Sequence, residues 1–99
     1  MTLQDPPCLM ADIGGTYARF ALETARGRFE RVARLRCADH ADFHAAVTAY
    51  LGTLPPGTVI RDAAIAIANP VEGDRVRMTN YHWQFSIEQM RQRLGLQTL

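Results

Sequence analysis

The sequence predicts an α/β domain in which a meander of three antiparallel strands is followed by a helix, a strand and a second helix. Three observations lead to this prediction. Short apolar or alternating stretches separated by glycine turns occupy residues 8–37. Apolar side chains recur at helical spacing within residues 39–52 and again within residues 86–95. A continuous apolar stretch, residues 63–68, lies between these two patterns.

The first predicted strand is the apolar run of residues 8–13, which lies between a Pro-Pro pair and the glycines Gly14 and Gly15. Chain breakers on both sides of a short apolar run are typical of a buried strand. From Tyr17 to Thr24 apolar and polar side chains alternate, which indicates a half-buried second strand.

A turn at Ala25-Arg26-Gly27 leads into residues 28–37. Phe29, Val32 and Leu35 are spaced by three, which would also suit a helix. The tight turn after a strand favours a third strand instead. Strands joined in this way form an antiparallel meander.

The first helix is predicted to begin at Asp39 as N-cap and to end at Gly52, with Asp42 near the positive end of the helix dipole. Its apolar stripe consists of Phe43, Ala46, Val47, Tyr50 and Leu51. The apolar segment of residues 63–68 does not alternate, so we expect a strand covered on both faces of a sheet. A helix followed by such a strand indicates a crossover into a parallel position.

The last third of the chain predicts a loop and the second helix. Glu72-Gly73-Asp74 form a turn before a short alternating segment. Ser86 begins the helix, with Gln89 three residues later as a capping box, and Gly95 ends it. Residues 96–99, LQTL, are interpreted as the start of a further apolar strand that is cut short.

Charge and composition argue against nucleic acid and membranes as partners. The 11 basic residues are all arginine, are scattered along the chain, and are offset by 10 acidic residues, for a net charge of +1. No apolar run has the length of a membrane span, and the N-terminus lacks the pattern of a secretory signal. Cys8 and Cys37 lack metal or redox spacing and are interpreted as buried, reduced residues, which favours the cytoplasm.

The stretch ADIGGTYARF, residues 11–20, allows two interpretations. The two glycines could simply turn the chain into a hairpin. Alternatively, the backbone N–H groups of Gly14, Gly15 and Thr16 could bind an anion, with the Thr16 hydroxyl as a further donor. Asp12 would then suit a hydrated divalent cation, and the two together would bind a Mg-nucleotide. A lysine-containing phosphate loop is excluded because the chain has no lysine.

This motif in this order of elements resembles the first phosphate motif of the sugar kinase, actin-like ATPase and heat-shock ATPase superfamily. Within that superfamily, ADIGGTYARFAL and AIAIANPVEGDRVRMTNYHWQFSIEQMRQRLGL are similar to the N-terminal part of the bacterial glucokinases of proteobacterial type. The resemblance extends from about Cys8 to the last residue. Its second block is the more specific, because it contains Pro70, Gly73, Asp74, Met78, Thr79, Asn80, Trp83, Phe85 and Ser86 together.

The resemblance implies a ribonuclease-H-like fold, of which residues 1–99 are the N-terminal lobe, with the second lobe outside this sequence. It implies phosphorylation of glucose by ATP with Mg²⁺, in the cytoplasm, with Asp12 on the metal side and a possible homodimer of the full-length enzyme. Asn80 is the expected sugar contact. The expected nucleotide-binding residues are Ala11, Asp12, Ile13, Gly14, Gly15 and Thr16.

The chain departs from the family pattern in two ways. Tyr17 stands where the family usually has Asn, so we expect its ring to crowd the phosphate hairpin or to change a contact there. The family's catalytic Asp lies in an Asn-Asp-Phe-Thr-Ala segment beyond Leu99, so no catalytic residue is assigned here. The 99-residue chain is therefore predicted to be inactive alone.

Other interpretations stay open at this point. The chain could be a non-catalytic sugar- or nucleotide-sensing module, or a truncated product whose unpaired sheet edge needs a partner chain. Asn69-Pro70 is typical of a turn, although the resemblance implies a loop lining the sugar cleft. His40, His44 and His82 lack the further ligands of a zinc site, and Trp83 and Phe85 are expected to pack in the core or the cleft wall.

Overall fold

A computed structural model describes residues 7–67, 71–77 and 83–99 of the chain. Within these residues, the strands are β1 (Cys8–Ile13), β2 (Tyr17–Ala25), β3 (Arg28–Arg36), β4 (Ala63–Ile67), β5 (Val71–Glu72), β6 (Arg75–Arg77) and β7 (Gln84–Ser86). The helices are α1 (Phe43–Leu51) and α2 (Ile87–Leu94), and a 3₁₀ turn spans Cys37–Asp39.

The main sheet has four strands in the order β3-β2-β1-β4. The first three are antiparallel neighbours, which confirms the predicted meander. β4 pairs parallel with β1, with Leu9 opposite Ala63 and Ile13 opposite Ile67, so the predicted crossover is also confirmed. The fold class is the α/β arrangement that the sequence predicts.

One apolar core holds the sheet and the helices together. The inward residues of β2, including Phe20, face α1, and Phe20 stacks on Tyr50 with ring centroids 5.1 Å apart. Phe43 of α1 stacks on Phe85 of β7 with ring centroids 4.8 Å apart, which joins the helix to the smaller sheet. Trp83 is also fully buried, and its indole N–H donates to the carbonyl of His40 at 3.2 Å. The core placement expected for Trp83 and Phe85 is therefore confirmed.

The predicted N-cap of the first helix is wrong. Asp42 is the N-cap, because its carboxylate accepts a 2.8 Å hydrogen bond from the backbone N–H of Ala45. Asp39 instead ends the 3₁₀ turn that precedes α1. Both aspartates are good cap residues, and the 3₁₀ turn moves the true helix start three residues along the chain.

The exposure of β4 also differs from the prediction. Ala64 and Ala66 lie on one face of the strand and are exposed, so this face is open to solvent. Ala63 is buried. Ile65 and Ile67 lie on the other face and are half-buried. Because every side chain of this strand is apolar, the sequence pattern does not show which face is buried. In the structure only one face packs against the core.

The second sheet is formed by β5, β6 and β7, in a region where the sequence predicts only a loop with a turn and a short alternating segment. Ser86 is the N-cap of α2, as predicted, and its hydroxyl accepts from the N–H of Gln89 at 3.2 Å. The Asp74 carboxylate also serves this helix end: it accepts from the Glu88 N–H at 2.9 Å and from the Ser86 hydroxyl. Gly95 ends α2 in a left-handed conformation with φ 69°.

The C-terminal residues begin to pair with the sheet, as predicted for the unfinished strand. Thr98 forms an isolated parallel bridge with Asp62, immediately before β4. The Ala63 N–H donates to the carbonyl of Thr98 at 3.2 Å, and the Thr98 hydroxyl donates to the Asp62 carboxylate at 2.7 Å.

A bulge interrupts the pairing of β2 with β3. The register shifts between Phe20 and Leu22, which pair with Ala33 and Glu30 respectively. Between these two pairs β3 has one residue more than β2. Arg31 lies in this bulge, and its φ of 54° is in the left-handed region. This conformation is costly for a residue with a side chain, so the surrounding structure must hold it.

Candidate functional site

The loop of residues 14–16 lies at the carboxyl end of β1, where β1 turns into β2. Because β1 and β4 are parallel, the carboxyl end of β4 lies at the same edge of the sheet. Ligands of open α/β sheets bind outside the carboxyl ends of the strands, at the point where the strand order reverses, which here lies between β1 and β4. The topology therefore positions the DIGGT motif where a ligand could approach it.

Gly14 closes the hairpin. Its N–H donates to the carbonyl of Tyr17 at 2.9 Å, so this amide is used inside the loop. A Cβ atom added to Gly14 would lie 3.3 Å from the same carbonyl oxygen, which is tighter than an ordinary contact. Gly14 is not among the glycines with positive φ; close approach of the backbone is thus the reason for this glycine.

Cys37 supports the loop from the side of β3. Its backbone N–H donates to the carbonyl of Thr16 at 2.9 Å. Its thiol lies 3.8 Å from the carbonyl oxygen of Gly14, within the range of a sulfur hydrogen bond. Burial raises the pKa of this thiol, so it is a neutral S–H donor near neutral pH.

Two amides of the loop remain open. Within the part of the chain that the structure describes, the N–H groups of Gly15 and Thr16 donate to no protein acceptor, and the Thr16 hydroxyl has no partner. Thr16 is exposed and Gly15 is half-buried. Of the three amides considered from the sequence, two are therefore available to an anion, together with one hydroxyl.

Asp12 lies on the exposed face of β1, between two buried neighbours. Ala11 and Ile13 point into the core and are 5% and 2% exposed, so they bring no side chain to the site. Asp12 is opposite Arg19 on β2 and Ala66 on β4, and these three residues share the open face of the sheet. Its carboxylate forms no hydrogen bond or ion pair with the described residues.

The open face becomes strongly basic towards β3. Arg19 is directly opposite Arg34, and Tyr17 is opposite Arg36. The Arg34 guanidinium lies over the Tyr17 ring, 4.3 Å from its centroid. The structure thus places the Tyr17 ring, which is 38% exposed, against β3 on the side away from β1.

Several residues expected at the site lie outside the described residues. They are Asn69, Pro70, Thr79 and Asn80, and His82 also lies outside the described residues. His40 and His44 are half-buried near the start of α1. In residues 7–67, 71–77 and 83–99, no group of three or more His, Cys, Asp or Glu side chains could hold a metal ion.

The comparisons with known proteins agree with this arrangement of elements. Residues 9–99 match the family model described as Glucokinase. The chain is 58% identical over 93 residues to a glucokinase of Neisseria meningitidis serogroup B, covering 94% of this chain and 28% of that protein. It is 58% identical over 95 residues to a glucokinase of Neisseria gonorrhoeae, covering 96% of this chain and 29% of that protein.

A solved structure shares the fold. The crystal structure of a glucokinase from an Antarctic psychrotroph superposes with a TM-score of 0.89 at 36% sequence identity, covering 97% of this chain and 31% of that one. The chain therefore spans less than a third of the length of these relatives. No helix in the described part of the chain is both long and apolar enough to cross a bilayer.

Proposed function

The chain belongs to the glucokinase family, and on that premise we propose that it is the N-terminal lobe, residues 1–99, of an enzyme that transfers the γ-phosphoryl group of ATP to the 6-hydroxyl of glucose. The observation that carries the proposal is the hairpin of residues 14–16, which leaves two amides and a hydroxyl open at the sheet edge. The relatives reported above are glucokinases, which does not favour a sensing module.

Phosphate binding is assigned to Gly15 and Thr16. Backbone N–H groups in a glycine turn carry partial positive charge and can approach phosphate oxygens closely. The basic face, with Arg19, Arg34 and Arg36, adds a favourable field for a polyanion. Gly14 contributes by closing the loop on Tyr17 rather than by donating to the ligand.

Asp12 is assigned to the cation side of the nucleotide. An exposed carboxylate with no protein partner fits Mg²⁺, which keeps several waters and is commonly held by one or two carboxylates together with substrate phosphates. When bound, Mg²⁺ would neutralise charge on the phosphoryl group that is transferred. Ala11 and Ile13 fix Asp12 in place because their buried side chains anchor β1 on both sides of it.

The sugar and the proton acceptor are assigned by family membership. Asn80 is proposed to contact a glucose hydroxyl, and a carboxylate beyond residue 99 is proposed to take the proton from the 6-hydroxyl. We propose a cytoplasmic location, in keeping with two free thiols, and a possible homodimer of the full-length enzyme.

A chimeric enzyme tests the proposal. Residues 1–99 of this chain replace the matching N-terminal part of the Neisseria gonorrhoeae glucokinase, with which they are 58% identical. Glucose-dependent ADP formation is measured in a coupled assay. We expect activity within about tenfold of the parent, a cost of roughly 1.4 kcal/mol in transition-state stabilisation.

Two variants of the chimera separate the site from its surroundings. Asp12→Asn should lower kcat/KM by about 100-fold or more, as expected for loss of a group that stabilises transition-state charge. Glu30→Gln is the matched control, because Glu30 is an exposed acid on β3 that pairs only with exposed Arg28 among the described residues. A folded chimera without activity, or equal losses in both variants, would contradict the proposal.

A further inference from the structure

Cys37 contacts the phosphate hairpin twice although it is 23 residues away from Gly14 in sequence. Its backbone N–H donates to the carbonyl of Thr16 at 2.9 Å, and its thiol lies 3.8 Å from the carbonyl oxygen of Gly14. The side chain is 1% exposed, so water does not compete for either contact. Among the described residues, the thiol of the other cysteine, Cys8, has hydrogen-bond partners only in the adjacent Leu9 and Met10.

The contact to Gly14 has a geometric consequence for Gly15. In a trans peptide unit, the C=O of one residue and the N–H of the next point in opposite directions in one plane. No peptide bond in the described chain is cis. Because the Gly14 carbonyl faces the thiol of Cys37, the N–H of Gly15 is directed away from that thiol.

Among the described residues, no other hydrogen bond is made by the carbonyl of Gly14 or the N–H of Gly15. Gly14 and Gly15 have no side chains to pack, and the remaining bond inside the loop, from the Gly14 N–H to Tyr17, fixes the preceding peptide. A glycine pair held only at its ends would sample several orientations. Preorganised donors bind charge better than donors that must be ordered on binding.

We propose that Cys37 is a positioning residue: its thiol orients the Gly14–Gly15 peptide so that the Gly15 N–H donates to a phosphate oxygen of the nucleotide. The identity of this ligand rests on the proposed function. Cys37 does not touch the nucleotide. Its thiol acts as a hydrogen-bond donor, so a hydroxyl at the same position should replace it.

Three variants of the 99-residue chain test this role. Cys37→Ala removes the donor, Cys37→Ser retains one, and Cys8→Ala is the control for loss of a thiol elsewhere on the sheet. Amide hydrogen exchange of Gly14 is measured by NMR without ligand. The dissociation constant of Mg-ATP, with inorganic tripolyphosphate as a second probe, is then measured from the shift of the Gly15 amide.

We expect Cys37→Ala to weaken Mg-ATP and tripolyphosphate binding about three- to tenfold, the range for one lost neutral hydrogen bond. The same variant should speed exchange of the Gly14 amide. Cys37→Ser and Cys8→Ala should stay within about twofold of the parent, less than such a bond contributes. If Cys37→Ala does not fold, Cys37→Ser decides, because weak binding by a folded serine variant would overturn the role of the donor.

The outcomes distinguish the two proposals. If the parent binds neither Mg-ATP nor tripolyphosphate, the nucleotide assignment fails, while the exchange comparison still decides whether Cys37 orders the hairpin. If the parent binds but Cys37→Ala binds equally well, or Gly14 exchange is unchanged, the positioning role is wrong. If Cys8→Ala weakens nucleotide binding as much as Cys37→Ala does, the loss reflects general packing of the sheet, and the positioning role of Cys37 is also wrong.

Discussion

The hydroxyl of Tyr50 donates a 2.7 Å hydrogen bond to the backbone carbonyl of Arg31. This bond joins α1 to the bulge of the edge strand β3, at the residue whose φ is 54°. Tyr50 is 1% exposed and stacks on Phe20. The helix thus holds the strained position of the strand from inside the core.

Tyr50→Phe removes only this bond. We expect the free energy of unfolding to fall by about 1 kcal/mol, the typical value for one hydrogen bond, because the Arg31 carbonyl loses its partner. Urea unfolding followed by circular dichroism measures the change. Tyr17→Phe is the matched control: the Tyr17 hydroxyl has no partner among the described residues, so a comparable loss there would contradict the assignment.

Alkaline solution should destabilise the chain through two buried groups. Burial raises the pKa of the Tyr50 phenol and of the Cys37 thiol. The folded state then holds more protons than the unfolded state, so the free energy of unfolding falls as pH rises. These contributions are complete below about pH 8 and begin to be lost near the ordinary pKa values of about 8.5 for a thiol and about 10 for a phenol.

Urea midpoints measured from pH 7 to 11 test this dependence. The double variant Tyr50→Phe/Cys37→Ser should start lower at neutral pH but decline less as the pH rises. If the double variant and the parent decline in parallel, other groups control the alkaline transition.

Gly14→Ala should disturb the hairpin without a change of helix or sheet content. The added Cβ would lie 3.3 Å from the Tyr17 carbonyl oxygen, so the loop must shift. We expect a loss of about 1 kcal/mol in stability, at the low end of the cost of overpacking, and weaker Mg-ATP binding by NMR titration.

Gly52→Ala is the control for the glycine change. Gly52 has a right-handed φ of −65°, and an added Cβ would meet its nearest oxygens at 3.4 and 3.5 Å. Replacement at such a position is neutral or stabilising by roughly 0.4–1 kcal/mol. Equal effects of the two substitutions would show that the hairpin tolerates a side chain.

The N-cap of α1 can be assigned by two substitutions three residues apart. Asp42→Ala should lower the free energy of unfolding by about 1 kcal/mol, because the Ala45 N–H loses its acceptor. Asp39→Ala should change it by no more than about 0.5 kcal/mol, as for an ordinary surface position. The reverse order in thermal unfolding would restore the assignment made from the sequence.

The 99-residue chain alone should not turn over glucose and ATP. The expected proton acceptor follows residue 99 in the family, and the chain spans less than a third of its relatives. A coupled ADP-release assay checks this directly, with the chimera described above as the positive control. Glucose-dependent turnover by the chain would refute the prediction.

The sequence predicts those features that depend on neighbouring residues. The hairpins, the apolar stripe of α1, and the Ser86 and Gly95 ends of α2 follow from local patterns and are all found. The Asp39 cap is wrong because two aspartates with equal local propensity compete, and the 3₁₀ turn decides between them. A three-residue strand such as β7 has too short a pattern to be recognised.

The site could be predicted only in part for the same reason. The DIGGT motif marks the hairpin and Asp12, since these residues are contiguous. The N–H of Gly14 donates to the carbonyl of Tyr17. This bond depends on the geometry of the loop, which the residue types do not specify. The sequence indicates Cys37 only as a buried thiol, because its contact with the loop depends on the pairing of β3 with β2.

The two edges of the main sheet differ in their risk of aggregation. On β3, the bulge at Arg31 and the exposed arginines at 28, 34 and 36 obstruct edge-to-edge pairing with another molecule. On β4, the bridge between Asp62 and Thr98 occupies only the beginning of the strand. The rest of β4, residues 64–67, extends beyond this bridge and carries no charged side chain. Growth of this sheet by any further strand is therefore directed to the side of β4, and misassembly of the isolated chain would begin there.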